Sequence, residues 1–190
     1  MNYLETLVAQ WLDHRGYFVR TNVNVGRIKR GGFSGELDIA AYNPVTDHCL
    51  HVECSGDAGS WKDREKRFER KFEVGREFMH KEVFTWLKRK EIEQWVVVFS
   101  AGPDHAVVGG GKVVTMRRLF LNITTDIVAL ERLGNRVFPE KHFLLRAVQD
   151  TVRYTADRKQ IASELSEGDR LLPRLDALPD SNALGILSPA

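Results

Sequence analysis

The sequence predicts an α/β domain with a mixed central sheet flanked by helices, followed by a C-terminal helical extension. Residues 32–57 alternate in polarity as two strands joined by a turn that contains Pro44. Residues 61–80 then carry apolar side chains at helical spacing, and residues 94–100 form a continuous apolar run typical of a strand covered on both faces. Because a helix separates the hairpin from this strand, the connection is a crossover and the sheet is mixed.

Two elements are predicted before the hairpin. Residues 2–15 form an amphipathic helix, since apolar residues recur at helical spacing and Gly16 is well placed to end it. Residues 17–25 alternate as a half-buried strand. The basic turn that follows contains Arg27, Lys29 and Arg30. This turn either holds a phosphate backbone or is only a soluble hairpin tip, and both interpretations stay open.

The predicted helix over residues 61–80 has Ser60 as its N-cap, and a short helix is expected over residues 83–89. The Gly-rich segment 101–112 is interpreted as a tight hairpin. It is similar to a phosphate-cradling loop, but Val113 stands where such a loop needs Ser or Thr for magnesium.

The C-terminal third has a helical pattern. Residues 113–133 predict one or two strands or a short helix, and a long helix is expected from Pro139 through Arg158. The predicted division is a domain over 1–135, a helical extension over 136–177 and a tail over 178–190. The tail would be loose or would serve as an oligomer contact, which leaves a homodimer open.

Composition narrows the class of protein. The 190 residues are 43% hydrophobic and 28% charged, as in ordinary globular domains. We expect no membrane association and a cytoplasmic location, because no apolar run could span a bilayer and the N-terminus lacks a signal peptide's features. Cys49 and Cys54 should face opposite sides of one strand and not pair with each other, in agreement with a reducing compartment.

Charge is distributed in strips along the chain. Residues 14–35 contain five basic residues and no acid, whereas residues 31–61 contain five acids and no Lys or Arg. Residues 62–90 contain eleven basic residues against six acids. An acidic strip between two basic ones suits a cation site flanked by a phosphate-binding surface, although solvated charged faces explain any single segment equally well.

Two acidic residues of the hairpin are predicted to lie together. Side chains alternate along a strand, so Asp38 shares a side with Ala40, and Glu53 shares a side with His51 and Ser55. If the two strands pair, both carboxylates lie on one face among apolar neighbours. Such a pair is costly unless a cation or hydrogen bonds compensate it.

These residues carry a resemblance to a known family. Glu5 in YLETLVAQWL, Asp38 in GELDIAA and Glu53 in LHVEC, in the order helix, strand, hairpin, crossover helix and buried strand, resemble the PD-(D/E)XK nuclease superfamily over residues 2–100. The resemblance implies a restriction-endonuclease-like fold and hydrolysis of phosphodiester bonds, most directly in DNA, with RNA left open. It also implies that Asp38, Glu53 and the main-chain carbonyl of Cys54 ligate Mg²⁺ or Mn²⁺, with help from Glu5.

The chain departs from the family pattern at one important position. Ser55 stands where the family has the lysine that orients the attacking water, and Leu37 replaces the proline of the family name. Ser55 would contact the water, and Lys62 or Lys66 on the next helix would supply the charge. Otherwise the chain is an inactive nuclease-fold module that binds nucleic acid or acts as a scaffold. A third alternative is a metal-dependent enzyme acting on another phosphorylated substrate.

His51 has two interpretations. On the same side as Glu53, it would line the site or ligate a transition metal. Alternatively it is a hydrogen-bonded strand residue, which is the commoner case.

Overall fold

A six-stranded sheet with the strand order β1-β2-β3-β4-β6-β5 forms the centre of the N-terminal part of the chain. In the computed structural model, residues 2–56, 59–88, 91–132, 137–155 and 167–173 are described. The strands are β1 (Phe18–Arg27), β2 (Phe33–Asn43), β3 (His48–Ser55), β4 (Ile92–Val98), β5 (Val107–Val108) and β6 (Gly111–Thr115). The α-helices are α1 (Tyr3–His14), α2 (Trp61–Phe78), α3 (Met116–Arg132) and α4 (Phe143–Thr155).

The sheet is mixed, as the sequence predicts. β1 pairs with β2, β2 with β3, and β5 with β6 in antiparallel fashion. β3 and β4 are parallel and are joined by the crossover through α2, and β4 and β6 are parallel as well. The mixed α/β class with helices against the sheet is therefore confirmed.

The chain divides into two compact units, Met1–Arg117 and Arg118–Ala190. The first unit contains the sheet, α1 and α2. The predicted division after residue 135 falls inside the second unit and stays a prediction.

Both faces of the central strands are buried. α1 contacts β1, β2 and β3, while α2 lies along the sheet from β1 to β6. On β3, His51 packs edge-on against the Phe72 ring of α2. Leu50 and Val52 project from the opposite face of the same strand and are fully buried too. Because both faces of the central strands are buried, the sequence of β4 is a continuous apolar run.

Helix α2 begins where the sequence predicts and ends differently. The Ser60 side chain accepts a hydrogen bond from the Asp63 N–H, so Ser60 is the N-cap. After Phe78 the chain makes a π-helical turn over Met79–Val83, and Phe84 then leaves helical geometry with φ −119° and ψ 62°. The short helix expected over residues 83–89 is thus replaced by turns in the described residues 84–88.

The Gly-rich segment forms the predicted tight hairpin. Gly109 and Gly110, with φ of 60° and 83°, make the two-residue turn between β5 and β6. Successive left-handed residues are typical of the turns that match the twist of paired strands, and glycine adopts them without steric cost.

The segment after this hairpin contains one strand and one long helix. β6 ends at Thr115, and α3 begins at Met116 and runs to Arg132. The expectation of a second strand or only a short helix over residues 113–133 was wrong.

The second unit is helical. α4 follows a 3-10 turn at Glu140–His142, so the long predicted helix begins a few residues after Pro139. The Asn122 side chain of α3 accepts from the Leu171 N–H at 2.9 Å and donates to the Asp169 carbonyl at 3.1 Å. These bonds join the segment 167–173 to α3. Residues 156–166 and the predicted tail lie outside the described residues.

In the part of the chain that the structure describes, no helix has both the length and the apolar character needed to cross a bilayer.

Candidate active site

Asp38 and Glu53 meet where β2 and β3 diverge. The antiparallel register runs from Asn43–His48 to Ile39–Val52, so the next position brings Asp38 opposite Glu53. There the Asp38 Oδ2 atom accepts a hydrogen bond from the Cys54 N–H at 2.9 Å. The Asp38 N–H points to Glu53 Oε1 at 3.4 Å. The two carboxylates therefore lie together, as the alternation of the hairpin predicts.

The alternation along β2 is not strict next to this site. Leu37 packs in the same apolar cluster as Ala40 and Tyr42, although a regular pleat would place Leu37 on the other face. On the neighbouring strand β1, Asn22 lies between the pairs formed by Thr21 and Val23 and has a left-handed φ of 51°. β1 and β2 are therefore irregular at the level of Asp38, whose carboxylate is directed toward β3.

A lysine of α2 lies against both carboxylates. The Lys71 Nζ atom is 3.1 Å from Asp38 Oδ1 and also forms an ion pair with Glu53 Oε2. Glu53 is fully buried, whereas about a third of the Lys71 side chain, 34%, is exposed. The ammonium group thus reaches the carboxylates from the solvent side.

The two carboxyl groups have their pKa values shifted in opposite directions. Burial, together with the negative charge of Glu53, raises the pKa of Asp38 to about 6 despite the opposing effect of Lys71. Burial would also raise the pKa of Glu53, but hydrogen bonding from His51 and the charge of Lys71 hold it below its ordinary value. For Lys71, burial is outweighed by Glu53 and Asp38, so its pKa is raised. Asp38 is consequently the group that accepts a proton first on acidification.

A cleft of about 790 Å³ opens in front of these groups. One wall is the start of β2, and the other wall is the polar face of α2. The lining includes Asp38 and four basic residues of α2: Lys66, Arg67, Arg70 and Lys71. Glu36 and Asp63 line it as well, so the lining has four basic side chains and three carboxylates, and its basic residues all come from α2.

The residues expected to replace the missing lysine are placed differently. Lys66 lines the cleft, and Lys62 is exposed near the N-terminus of α2. The cation that touches both carboxylates is Lys71, which sequence reasoning missed. A signal was present, because Lys71 lies three residues after Phe68 and next to Phe72, at the border of the buried face of α2.

Ser55 lies at the C-terminal end of β3 and is nearly buried. Its hydroxyl accepts a hydrogen bond from the Arg67 Nη2 atom at 3.1 Å. The predicted contact between Ser55 and the attacking water stays a prediction, while its contact with α2 helps to fix Arg67 in the cleft.

Glu5 has a structural role that is visible directly. It accepts a hydrogen bond from the Asn2 N–H at 3.1 Å and completes a capping box at the start of α1. Its charge also reaches the hairpin, because burial and then the charges of Asp38, Glu5 and Glu53 raise the pKa of the Cys54 thiol. A direct role of Glu5 in the site stays a prediction.

His51 is a buried, hydrogen-bonded strand residue. Its Nε2 atom lies 2.8 Å from Glu53 Oε1, and the ring is fully buried. The second interpretation, a hydrogen-bonded strand residue, is therefore confirmed, and the ring contacts the Glu53 carboxylate without lining the cleft.

The basic turn between β1 and β2 is exposed. Arg27, Lys29 and Arg30 lie at the tip of this hairpin, and the cleft begins further along β2 at Ser34. None of the three lines the cleft, and their contact with phosphate stays a prediction.

Comparisons with known proteins do not assign the chain to a family. No family model matches it, and no curated protein matches it. Among solved structures, it is similar to the crystal structure of a protein of unknown function, AF1548, with 15% identity and a TM-score of 0.38. That likeness covers 78% of this chain and 96% of AF1548. At this level it supports no argument about function.

Proposed function

We propose that this protein is a metal-dependent nuclease of the PD-(D/E)XK type that hydrolyses phosphodiester bonds, most readily in DNA. The observation that carries the proposal is the convergence of Asp38, Glu53 and Lys71 at the edge of a cleft lined with basic residues. On this proposal, the mixed sheet with its crossover helix is a restriction-endonuclease-like fold.

The donor set suits a hard divalent cation. Within the described residues, no group of three or more His, Cys, Asp or Glu side chains is arranged to hold a metal ion. Magnesium, however, is commonly bound through one or two carboxylates, with water and substrate phosphate completing its coordination. Burial keeps the pKa of Asp38 raised even beside Lys71, so the pair still favours additional positive charge.

Asp38 and Glu53, with the main-chain carbonyl of Cys54, would hold Mg²⁺ or Mn²⁺. When bound, such an ion lowers the pKa of a coordinated water and stabilises charge on a scissile phosphate. Lys71 would supply the charge that the family obtains from the lysine at the position of Ser55. Its flexible stem and partial exposure allow the ammonium group to reach a phosphate in the cleft.

The basic residues of the cleft would bind the nucleic-acid backbone. Lys66, Arg67 and Arg70 line the cleft, and the exposed Arg27, Lys29 and Arg30 of the hairpin tip would contact the backbone outside it. Such contacts position a substrate without reading its sequence, so neither a recognition sequence nor a choice between DNA and RNA follows from them.

Asp38→Asn is expected to abolish cleavage of DNA in Mg²⁺ or Mn²⁺ while the protein remains folded. The amide keeps the size of the carboxylate but removes a charged ligand from the proposed metal site. The measurement is a gel assay of plasmid and short duplex or single-stranded substrates, with circular dichroism as the control for folding. Wild-type cleavage that persists unchanged in the variant would refute the proposed site.

One observation favours a different function, that of an inactive nuclease-fold module that binds nucleic acid. Lys71 pairs with both carboxylates, so a cation of the protein itself compensates part of their charge. Salt-sensitive DNA binding by the wild-type protein, without cleavage in either metal and without any effect of Asp38→Ala, would favour this module.

Arg70→Ala is expected to weaken DNA binding and to flatten its salt dependence. Each phosphate contact contributes about 0.9 to the slope of log affinity against log salt concentration, so the loss of one contact should reduce the slope by about that amount. Fluorescence anisotropy with a labelled duplex at several salt concentrations measures the slope. Arg20→Ala is the matched control, because Arg20 is exposed on β1 away from the residues that line the cleft. Equal slopes for the two variants would contradict a role for this cleft.

A further inference from the structure

A chain of hydrogen bonds leads from the exposed Arg76 of α2 through β4 to the buried Glu53. The Arg76 Nη1 atom donates to Gln94 Oε1 at 2.6 Å. The Gln94 Nε2 atom lies 3.3 Å from His51 Nδ1, and His51 Nε2 lies 2.8 Å from Glu53 Oε1. His51 and Glu53 are fully buried and Gln94 is 7% exposed, so these groups depend on one another for hydrogen bonding.

Two partners fix the orientation of the Gln94 amide. Arg76 can only donate, so it must face the amide oxygen. The Phe72 carbonyl can only accept, and it lies 3.0 Å from the Gln94 amide nitrogen. Both contacts place the nitrogen of Gln94, a donor, opposite His51 Nδ1.

The orientation of Gln94 then decides the tautomer of His51. Because Gln94 donates to Nδ1, that ring nitrogen carries no proton and accepts. The imidazole proton is therefore on Nε2, from which it is donated to Glu53 Oε1. The opposite tautomer would set two donors against each other at Gln94 and two acceptors against each other at Glu53.

The packing around His51 keeps the ring in this orientation. Phe72 contacts the ring edge-on, with 5.3 Å between ring centroids and an interplanar angle of 89°. One turn further along α2, Gly75 faces Nδ1 so closely that a Cβ atom there would overlap the imidazole. A helix residue without a side chain is thus required for the ring to lie between α2 and β3.

We propose that Arg76, Gln94 and His51 form a positioning relay that holds the Glu53 carboxylate in place through a fixed Nε2–H tautomer of His51. Its role toward a metal rests on the proposed function, whereas the tautomer does not. Residues that orient a metal-binding carboxylate by hydrogen bonding are known to contribute strongly to metal affinity.

The tautomer is tested by NMR on the full chain labelled with ¹⁵N, in spectra that correlate the ring protons of His51 with its nitrogens. We expect a protonated Nε2 and an unprotonated Nδ1. In Gln94→Glu the new carboxylate accepts instead of donating and still pairs with Arg76, so Nδ1 should become protonated. A wild-type protein with the proton on Nδ1 would overturn the relay.

The positioning role is tested by titration calorimetry with Mn²⁺ alone. His51→Leu removes the donor at similar size and should weaken Mn²⁺ binding by about 10- to 100-fold. His51→Gln places an amide donor near the position of Nε2 and should recover most of the affinity. This rescue separates positioning from a packing defect, because both variants replace the same buried ring.

The outcomes distinguish the two proposals. A folded His51→Leu that binds Mn²⁺ as tightly as the wild type would overturn the positioning role. If His51→Leu does not fold, Mn²⁺ binding by His51→Gln far weaker than that of the wild type would overturn it. If the wild type itself does not bind Mn²⁺, the metal-dependent function fails, and the positioning role toward a metal fails with it. The NMR experiment then still decides whether the relay and its tautomer exist.

Discussion

Lys71→Met should lower the metal-dependent cleavage rate by about 10²- to 10³-fold, the usual effect of removing one charge-stabilising group from an active site. The Lys71 ammonium contacts both Asp38 and Glu53 and faces the cleft. Without it, the proposed site loses its compensating charge in the free protein and the cation nearest to the scissile phosphate in the complex. Single-turnover cleavage at saturating protein measures this loss separately from binding.

The same variant should lose stability near neutral pH. Glu53 is fully buried and would lose one charged partner, which costs about 1–3 kcal/mol of unfolding free energy. Lys62→Met is the matched control, since Lys62 is an exposed lysine of the same helix. If both variants cleave at the wild-type rate, the assignment of Lys71 is wrong. If only the Lys62 variant loses activity, the substitute lysine is Lys62, one of the two that the sequence predicts.

Asp38→Asn should change how stability depends on pH. The folded-state pKa of Asp38 is about 6 against an ordinary value of 3.8, so between these values the folded protein binds more protons at this site than the unfolded chain. The unfolding free energy that Asp38 contributes therefore falls as pH rises from about 4 to about 6, by up to about 3 kcal/mol, and is level above that range.

Because Asn does not titrate, the unfolding free energy of the Asp38→Asn protein does not fall in this way as the pH rises. The stability of Asp38→Asn relative to the wild type should then increase from pH 4 to pH 6 and stay constant to pH 8. Urea unfolding in the presence of a metal chelator, at intervals of one pH unit, measures the difference. Glu53, whose pKa is lowered from 4.5, contributes in the opposite direction and mainly below that pH, so the difference between pH 5 and pH 6 reports on Asp38. Parallel stability curves for the two proteins would contradict a raised pKa of Asp38.

Local patterns were enough to locate the main elements of the first unit. The extent of α1 follows from apolar spacing and Gly16, and the start of α2 follows from apolar spacing and the cap at Ser60. The hairpin and the crossover follow from alternation and from the apolar run of β4. The helix α3 was not predicted. It begins directly after β6, and the apolar residues at this boundary are compatible with a strand as well as with a helix.

The chemistry at the hairpin could be predicted only in part, because its acidic and basic members come from different elements. Asp38 and Glu53 lie on adjacent strands, and the period of two with a short turn is sufficient to bring them together. Lys71 reaches them from a helix whose rotation and position depend on how Phe68, Phe72 and Gly75 pack on the sheet. No local pattern specifies that rotation to within one residue, which is why the sequence pointed to Lys62 or Lys66 and the position of Lys71 beside the buried face gave only a weak signal.

The relay through His51, too, could be predicted from the sequence only in part. Its members lie on β3, β4 and α2, more than forty residues apart at the widest link, and each was ambiguous in the sequence. Side-chain type and spacing determine which groups are available and which strand face they occupy. Which of them meet, and which proton each carries, is decided by tertiary packing, because a buried donor must find an acceptor among the neighbours that the fold supplies.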